Sequence, residues 1–143
     1  MEDLKGRTIV LGTIGFDCHI IGIWVIGYAL SKEEAKIINL GACVSQKEFI
    51  AAAIETNADA IAISSTCGHA LLDCQGFKEK CVEAGLKDTL LYIGGNLAVG
   101  EQSWEEVEKQ FLDLGFNRAY STKAKPEVFI QDMKKDMAAV ARR

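Results

Sequence analysis

Apolar residues along the chain fall in short continuous runs that alternate with longer amphipathic stretches. Thr8–Thr13 (TIVLGT) is a β-rich run bounded by Gly15, and Ala60–Ser64 (AIAIS) and Leu90–Ile93 (LLYI) repeat the pattern. Runs this short and this uniformly apolar read as parallel strands covered on both faces. Ala35–Leu40 (AKIINL) and Arg118–Tyr120 are weaker strand candidates, the latter short enough for a sheet edge. Helical patterning fills the intervals, roughly His19–Leu30, Gln46–Thr56, Leu71–Ala84, Trp104–Leu114 and Glu127–Val140. Ser45, three residues before Glu48, predicts an N-terminal cap, and Gly85 and Gly115 stand where helix ends need a left-handed residue. Pro126, the only proline, opens the last helix.

Alternating strands and helices joined by right-handed crossovers give an α/β fold. The expected form is a Rossmann-like (flavodoxin-like) doubly wound sandwich, a five-stranded parallel sheet with helices on both faces. Ligands of such folds bind at the carboxyl ends of the strands, so the informative loops are Gly12–Cys18, Ser64–Leu71 and Gly94–Gly100. A length of 143 residues, 49% hydrophobic, predicts one domain spanning residues 1–143.

Charge and cysteine usage narrow the class. A net charge of -4 without clustered Lys and Arg argues against a nucleic-acid surface. The one basic run, Lys134, Lys135, Arg142 and Arg143, is interleaved with Asp132 and Asp136 and reads as a solvated helix face. Met1–Arg7 lacks the features of a signal peptide, and the apolar stretch Ile20–Leu30 is about half the roughly 20 residues a membrane helix needs. A cytoplasmic protein without membrane contact is therefore expected. Five cysteines without a C-x-x-C pair suggest reduced thiols rather than a disulfide framework or zinc site. Cys67, Cys74 and Cys81, spaced by seven, read as small core residues.

The chemistry concentrates in Gly15-Phe16-Asp17-Cys18-His19-Ile20-Ile21-Gly22, which contains D-x-H-x-x-G. Neutral imidazole is a good ligand for a first-row transition metal, and an Asp two residues earlier can hydrogen-bond the other ring nitrogen, fixing its tautomer. A lone His after a strand is more often a cap or a surface residue. Here the motif is joined by Ser64-Ser65-Thr66 after the third strand and Gly94-Gly95 closing the fourth. Together they resemble the cobalamin-binding domain of base-off, His-on proteins. The likeness is closer still to the small subunits of glutamate mutase (methylaspartate mutase). It covers Thr8 to about Met133, including VLGTIGFDCHIIG, AAAIETNADAIAISS, FKEKCVEAGLK and GGNLAVG.

That resemblance implies adenosylcobalamin bound with His19 on cobalt, the cofactor's dimethylbenzimidazole displaced, and its nucleotide tail buried beside the sheet. Phe16, Asp17, Cys18, His19, Ile20 and Gly22 would meet the cofactor. So would Ser64, Ser65 and Thr66, together with Gly94, Gly95, Asn96, Leu97, Ala98, Val99 and Gly100. Ser64, Ser65 and Asn96 are the candidates for polar contacts to the tail, and Gly22 avoids crowding it. The likeness further implies a larger catalytic barrel subunit, like the epsilon subunit of glutamate mutase, in a heterotetramer that interconverts glutamate and 3-methylaspartate. The family pattern departs at Phe16, where a small polar residue is expected, and at Thr66 and Cys67, which replace Leu and Tyr.

Other readings stay open. A methyl-carrying corrinoid protein shares the motif, but a helical cap is expected ahead of its first strand, which here begins near Thr8. A cobalamin sensor would need an effector region, whereas a pure carrier would not. A flavodoxin or response regulator is disfavoured, because no phosphate-cradling cluster or acidic pair follows the first strand. His69 is either a solvated loop residue or a second group near the cofactor. Ile20–Leu30 is apolar over most of its circumference, so either it is wedged wholly in its own core or cofactor or partner covers a second face. Trp24 and Tyr28, four apart, suit packing or stacking near the tail.

Overall fold

Strand parity divides the core in two. Successive strand side chains point to opposite faces, so Ile9, Leu11, Ala60, Ala62, Leu90 and Tyr92 form one buried cluster while Val10, Ile61, Ile63, Leu91 and Ile93 belong to the other. A computed structural model describes residues 3–141. Its elements are β1 (Thr8–Thr13), α1 (Ile21–Ser31), β2 (Lys36–Asn39), α2 (Gln46–Thr56), β3 (Ala60–Ser65) and α3 (Ala70–Asp73). The chain continues through α4 (Phe77–Glu83), β4 (Leu90–Gly95), α5 (Trp104–Asp113), β5 (Arg118–Tyr120) and α6 (Pro126–Ala141).

The five strands pair in the order β2-β1-β3-β4-β5, all parallel. The expected doubly wound sheet is thus present, with β5 at one edge. Phe129, Ile130, Met133 and Met137 of α6 and Leu30 of α1 close one face. Phe49 and Ala53 of α2, Phe77 and Cys81 of α4, and Val107 and Phe111 of α5 close the other. There, Phe77 packs against Phe49 and Phe116 at ring-centroid distances of 6.2 and 6.3 Å.

Helix ends follow local chemistry. Ser45 and Glu48 make a reciprocal capping box on α2, and Gly85 and Gly115 take positive φ as expected. The predicted helix Leu71–Ala84 is instead two, because Gly76 adopts φ 74 between α3 and α4. The first helix starts at Ile21 rather than His19, since the Asp17 carboxylate takes up the His19 amide and holds residues 17–20 out of the helix. β3 runs on through Ser64 and Ser65, which are strand rather than turn.

Asp132 and Asp136 do not solvate the last helix. Both turn toward the sheet, where Asp136 pairs with Arg118 and Asp132 accepts the Tyr120 hydroxyl. Lys134 pairs with Glu33, and Arg142 and Arg143 lie outside the described residues, as do Met1 and Glu2. Among the described residues, no helix is long and apolar enough to cross a membrane.

The cysteines divide by burial. Cys74 and Cys81 are core residues, as their spacing suggested, whereas Cys67 is half-buried and Cys18 and Cys43 are exposed. Burial pushes the Cys74 thiol up to about 12 and the Cys81 thiol up to about 11. Both therefore stay protonated and unreactive at neutral pH. In thiol labelling followed by peptide mass analysis, Cys18 and Cys43 should react in the native protein. Cys74 and Cys81 should label only after denaturation.

Candidate cofactor site

Where β1 ends, the chain builds a pocket around one carboxylate. Asp17 is buried, 1% exposed. Its carboxylate accepts the His19 amide at 2.9 Å, the His19 Nδ1–H at 2.7 Å, and the Thr66 amide from the loop after β3. Its carbonyl accepts from the fully buried Thr13 hydroxyl and from the Cys43 amide at 3.0 Å. That Cys43 amide also reaches Thr13 Oγ1 at 3.0 Å. Asp17 thereby ties together the loops after β1, β2 and β3. Burial alone would raise its pKa, but the amides of His19 and Thr66 and the His19 ring outweigh that and hold the carboxyl below its ordinary value.

His19 is the outward end of this arrangement. Its side chain is 65% exposed, and Nδ1 is its bonded nitrogen. With Nδ1–H donated to Asp17, the lone pair lies on Nε2, the atom a metal would take. Among the described residues, no cluster of three or more His, Cys, Asp or Glu side chains could hold a metal ion.

Beside it a cavity of about 320 Å³ opens between the sheet, α1 and α6. Parity explains its location. On this face the strand ends carry Ala62, Ser64 and Gly94, while the opposite face carries Ile61, Ile63 and Ile93. A Cβ on Gly22 of α1 would come within 3.2 Å of Ser64 Oγ, and one on Gly95, at φ 125, would lie 2.2 Å from the Ser65 carbonyl oxygen. The small side chains thus define a cleft that larger ones would fill. Its rear wall is aromatic: Tyr92, Tyr120 and Phe129.

The expected residues are sorted by this geometry. Gly22, Ser64, Thr66, Gly94 and Gly95 line the cavity, and Asp17 and His19 stand together beside it. Ser65, one position out of parity, is fully buried with its hydroxyl 4.0 Å from Cys67 Sγ. Asn96, Leu97, Ala98, Val99 and Gly100 do not line the cavity. Leu97 is buried in the opposite core, and the others are exposed beyond β4. Phe16 is 96% exposed, Cys18 is exposed, and Ile20 is the residue preceding α1. His69 is exposed at the start of α3 without a capping bond.

The first helix is not wedged in its own core. Ile21, Trp24 and Tyr28 are each more than 60% exposed, and Trp24 and Tyr28 do not line the cavity. The sequence reading missed the loop after β5, where Ser121, Thr122 and Lys125 line the mouth. Its position after a strand's carboxyl end was the available signal.

A parallel sheet with a cleft at its carboxyl edge, beside a buried Asp bonded to an exposed His, is the arrangement of an α/β ligand-binding domain. The family model described as the B12 binding domain matches residues 7–121. The chain is 48% identical over 134 residues to the glutamate mutase sigma subunit of Clostridium cochlearium, covering 94% of this chain and 98% of that one. It is 46% identical over 134 residues to the sigma subunit of Clostridium tetani, with the same coverage. It belongs to the B12-binding-domain family, among the glutamate mutase sigma subunits.

Solved structures agree on the fold. A cobalamin-binding protein from Desulfitobacterium hafniense superposes with TM-score 0.75 at 22% identity, covering 92% of this chain and 60% of that one. The monomethylamine corrinoid protein of Methanosarcina barkeri superposes with TM-score 0.70 at 16% identity, covering 90% and 57%. The chain thus spans about three-fifths of each of these proteins.

Two predictions test the Asp17 pocket. Thr13→Val should destabilise the protein by about 1–3 kcal/mol in urea denaturation, because a buried carbonyl loses its hydroxyl donor, while Thr13→Ser should lose much less. The second concerns acid. Because the folded carboxyl titrates below the ordinary 3.8, the unfolded chain binds this proton more readily. Its stabilising contribution is present above that value and is lost as pH falls through the lower folded one. The stability advantage of wild type over Asp17→Asn should therefore shrink below about pH 4 in denaturation midpoints.

Proposed function

We propose that this chain is the cobalamin-binding subunit of an adenosylcobalamin-dependent carbon-skeleton mutase that interconverts L-glutamate and threo-3-methylaspartate. The observation that carries the reading is the Asp17–His19 pair, with Nε2 of an exposed ring free to ligate, set beside a cleft lined by Gly22, Ser64 and Gly94. The relatives named glutamate mutase sigma subunits, matched over nearly their full length, supply the reaction class.

In this reading His19 would hold the cobalt through Nε2, and the cofactor would bind with its own base displaced. Asp17 orients the ring and fixes its tautomer. Ser64 offers a hydroxyl to the nucleotide tail within the cleft. Thr66, Gly94 and Gly95 shape the cleft, while Phe16, Cys18 and Ile20 flank the corrin on the exposed loop. When bound, adenosylcobalamin supplies the radical chemistry by homolysis of its cobalt–carbon bond. The chain's own part is to bind, orient and hold the cofactor. The loops at the carboxyl edge lack an arginine cluster for a dicarboxylate, which assigns substrate binding to another subunit. That subunit is a larger barrel, covering the reactive face and excluding water, in a heterotetramer. The chain acts as one cobalamin-binding domain in the cytoplasm, where its five thiols stay reduced.

Electron paramagnetic resonance of cob(II)alamin bound to the purified chain tests the ligand. Wild type should show coupling to one histidine nitrogen, and His19→Ala should lose it. Asp17→Asn should keep the coupling with cobalamin affinity lowered by about 10–100-fold. Identical spectra for wild type and His19→Ala would remove His19 as ligand.

A further inference from the structure

The rear wall of the cleft is held by charged side chains that do not themselves line it. Tyr92 and Tyr120 line the cavity with their rings, yet their hydroxyls donate to α6: Tyr92 to Asp136 Oδ2 at 2.8 Å, and Tyr120 to Asp132 Oδ2 at 2.8 Å. Arg118 joins the two carboxylates. Its Nε and Nη2 donate to Asp136 at 2.8 and 2.9 Å in a bidentate fork, and its Nη1 lies 3.5 Å from Asp132. Phe129 packs edge-on between the rings, at centroid distances of 5.2 Å from Tyr92 and 5.4 Å from Tyr120.

Several consequences follow from this connectivity. Each tyrosine is anchored at both ends, by its strand and by α6, so neither ring is free to swing into the cleft. Both hydroxyls are spent on carboxylates, so the wall presents carbon to the cavity despite its two tyrosines. Burial and the neighbouring carboxylate raise the pKa of both phenols, which keeps them neutral donors. The fork to Asp136, foremost, raises the pKa of Arg118. Charge-assisted and bidentate bonds are among the stronger polar contacts available to a folded chain, and a cleft fixed before binding loses less freedom when a ligand enters.

We propose that Arg118, Asp132 and Asp136 are positioning residues for the cofactor's nucleotide tail, acting through Tyr92 and Tyr120 to hold an apolar slot open at fixed width. This rests on the reading that the cleft receives the tail. It adds that α6 and β5 set how strongly the tail contributes to binding.

The test compares two probes on the purified chain by absorbance titration: cobalamin, and cobinamide, which has the same cobalt macrocycle without the nucleotide tail. Wild type should prefer cobalamin. The Tyr92→Phe/Tyr120→Phe double variant keeps both rings and loses their anchors, and it should bind cobalamin about tenfold more weakly, a change of about 1.4 kcal/mol. Its cobinamide affinity should stay unchanged. Arg118→Ala should move the ratio in the same direction. Equal weakening toward both probes, or an unaltered ratio in the double variant, would overturn the positioning role. A wild type that binds neither probe, or both equally, would instead overturn the reading of the cleft.

Discussion

A buried carboxylate must be satisfied by donors, and the way Asp17 meets that requirement organises the functional edge of the protein. Its carboxylate takes donors from the loops after β1 and β3, and its main-chain carbonyl takes the Cys43 amide from the loop after β2. Separating the loops after β1 and β3 would orphan the charge, and moving the loop after β2 would leave the carbonyl short of a donor, so the cost enforces their mutual position. His19 inherits that order: an exposed ring on a loop would otherwise sample many rotamers, but here it is tethered through Nδ1 to an immobile partner.

Space is set by parity rather than by a hinge or a large loop. On the central strand, Ala60, Ala62 and Ser64 face α1 and α6, while Ile61 and Ile63 face the other helices. One side of the sheet is filled to the strand ends and the other is left short of volume there. Gly22 brings α1 close to Ser64 without closing the gap, and the rings of Tyr92, Tyr120 and Phe129 form its back. The cleft and the core are therefore products of the same alternation, read on opposite faces.

Much of this was legible in the amino-acid order. TIVLGT, AIAIS and LLYI marked the three central strands because buried parallel strands are continuously apolar, and D-x-H-x-x-G marked the loop where Asp17 holds His19. The split of the third predicted helix escaped notice because Gly76 sits within an otherwise helical pattern. Ser64 and Ser65 are equivalent in composition, and only strand register sends one hydroxyl into the cleft and the other into the core. Asp132 and Asp136 looked like solvated charges beside lysines, since their partners Arg118, Tyr92 and Tyr120 lie 12 to 44 positions away in sequence. Three-dimensional neighbours at that separation leave no local trace.

The sheet is bordered by its two shortest strands, β2 with four residues and β5 with three. An edge that short offers few unpaired backbone groups to an incoming strand. Growth of the sheet into another chain is consequently disfavoured at both ends. The helices and loops, rather than the sheet edges, make up the surface open to another chain. A contact there can form and release without disturbing the hydrogen-bonded ladder that carries the site.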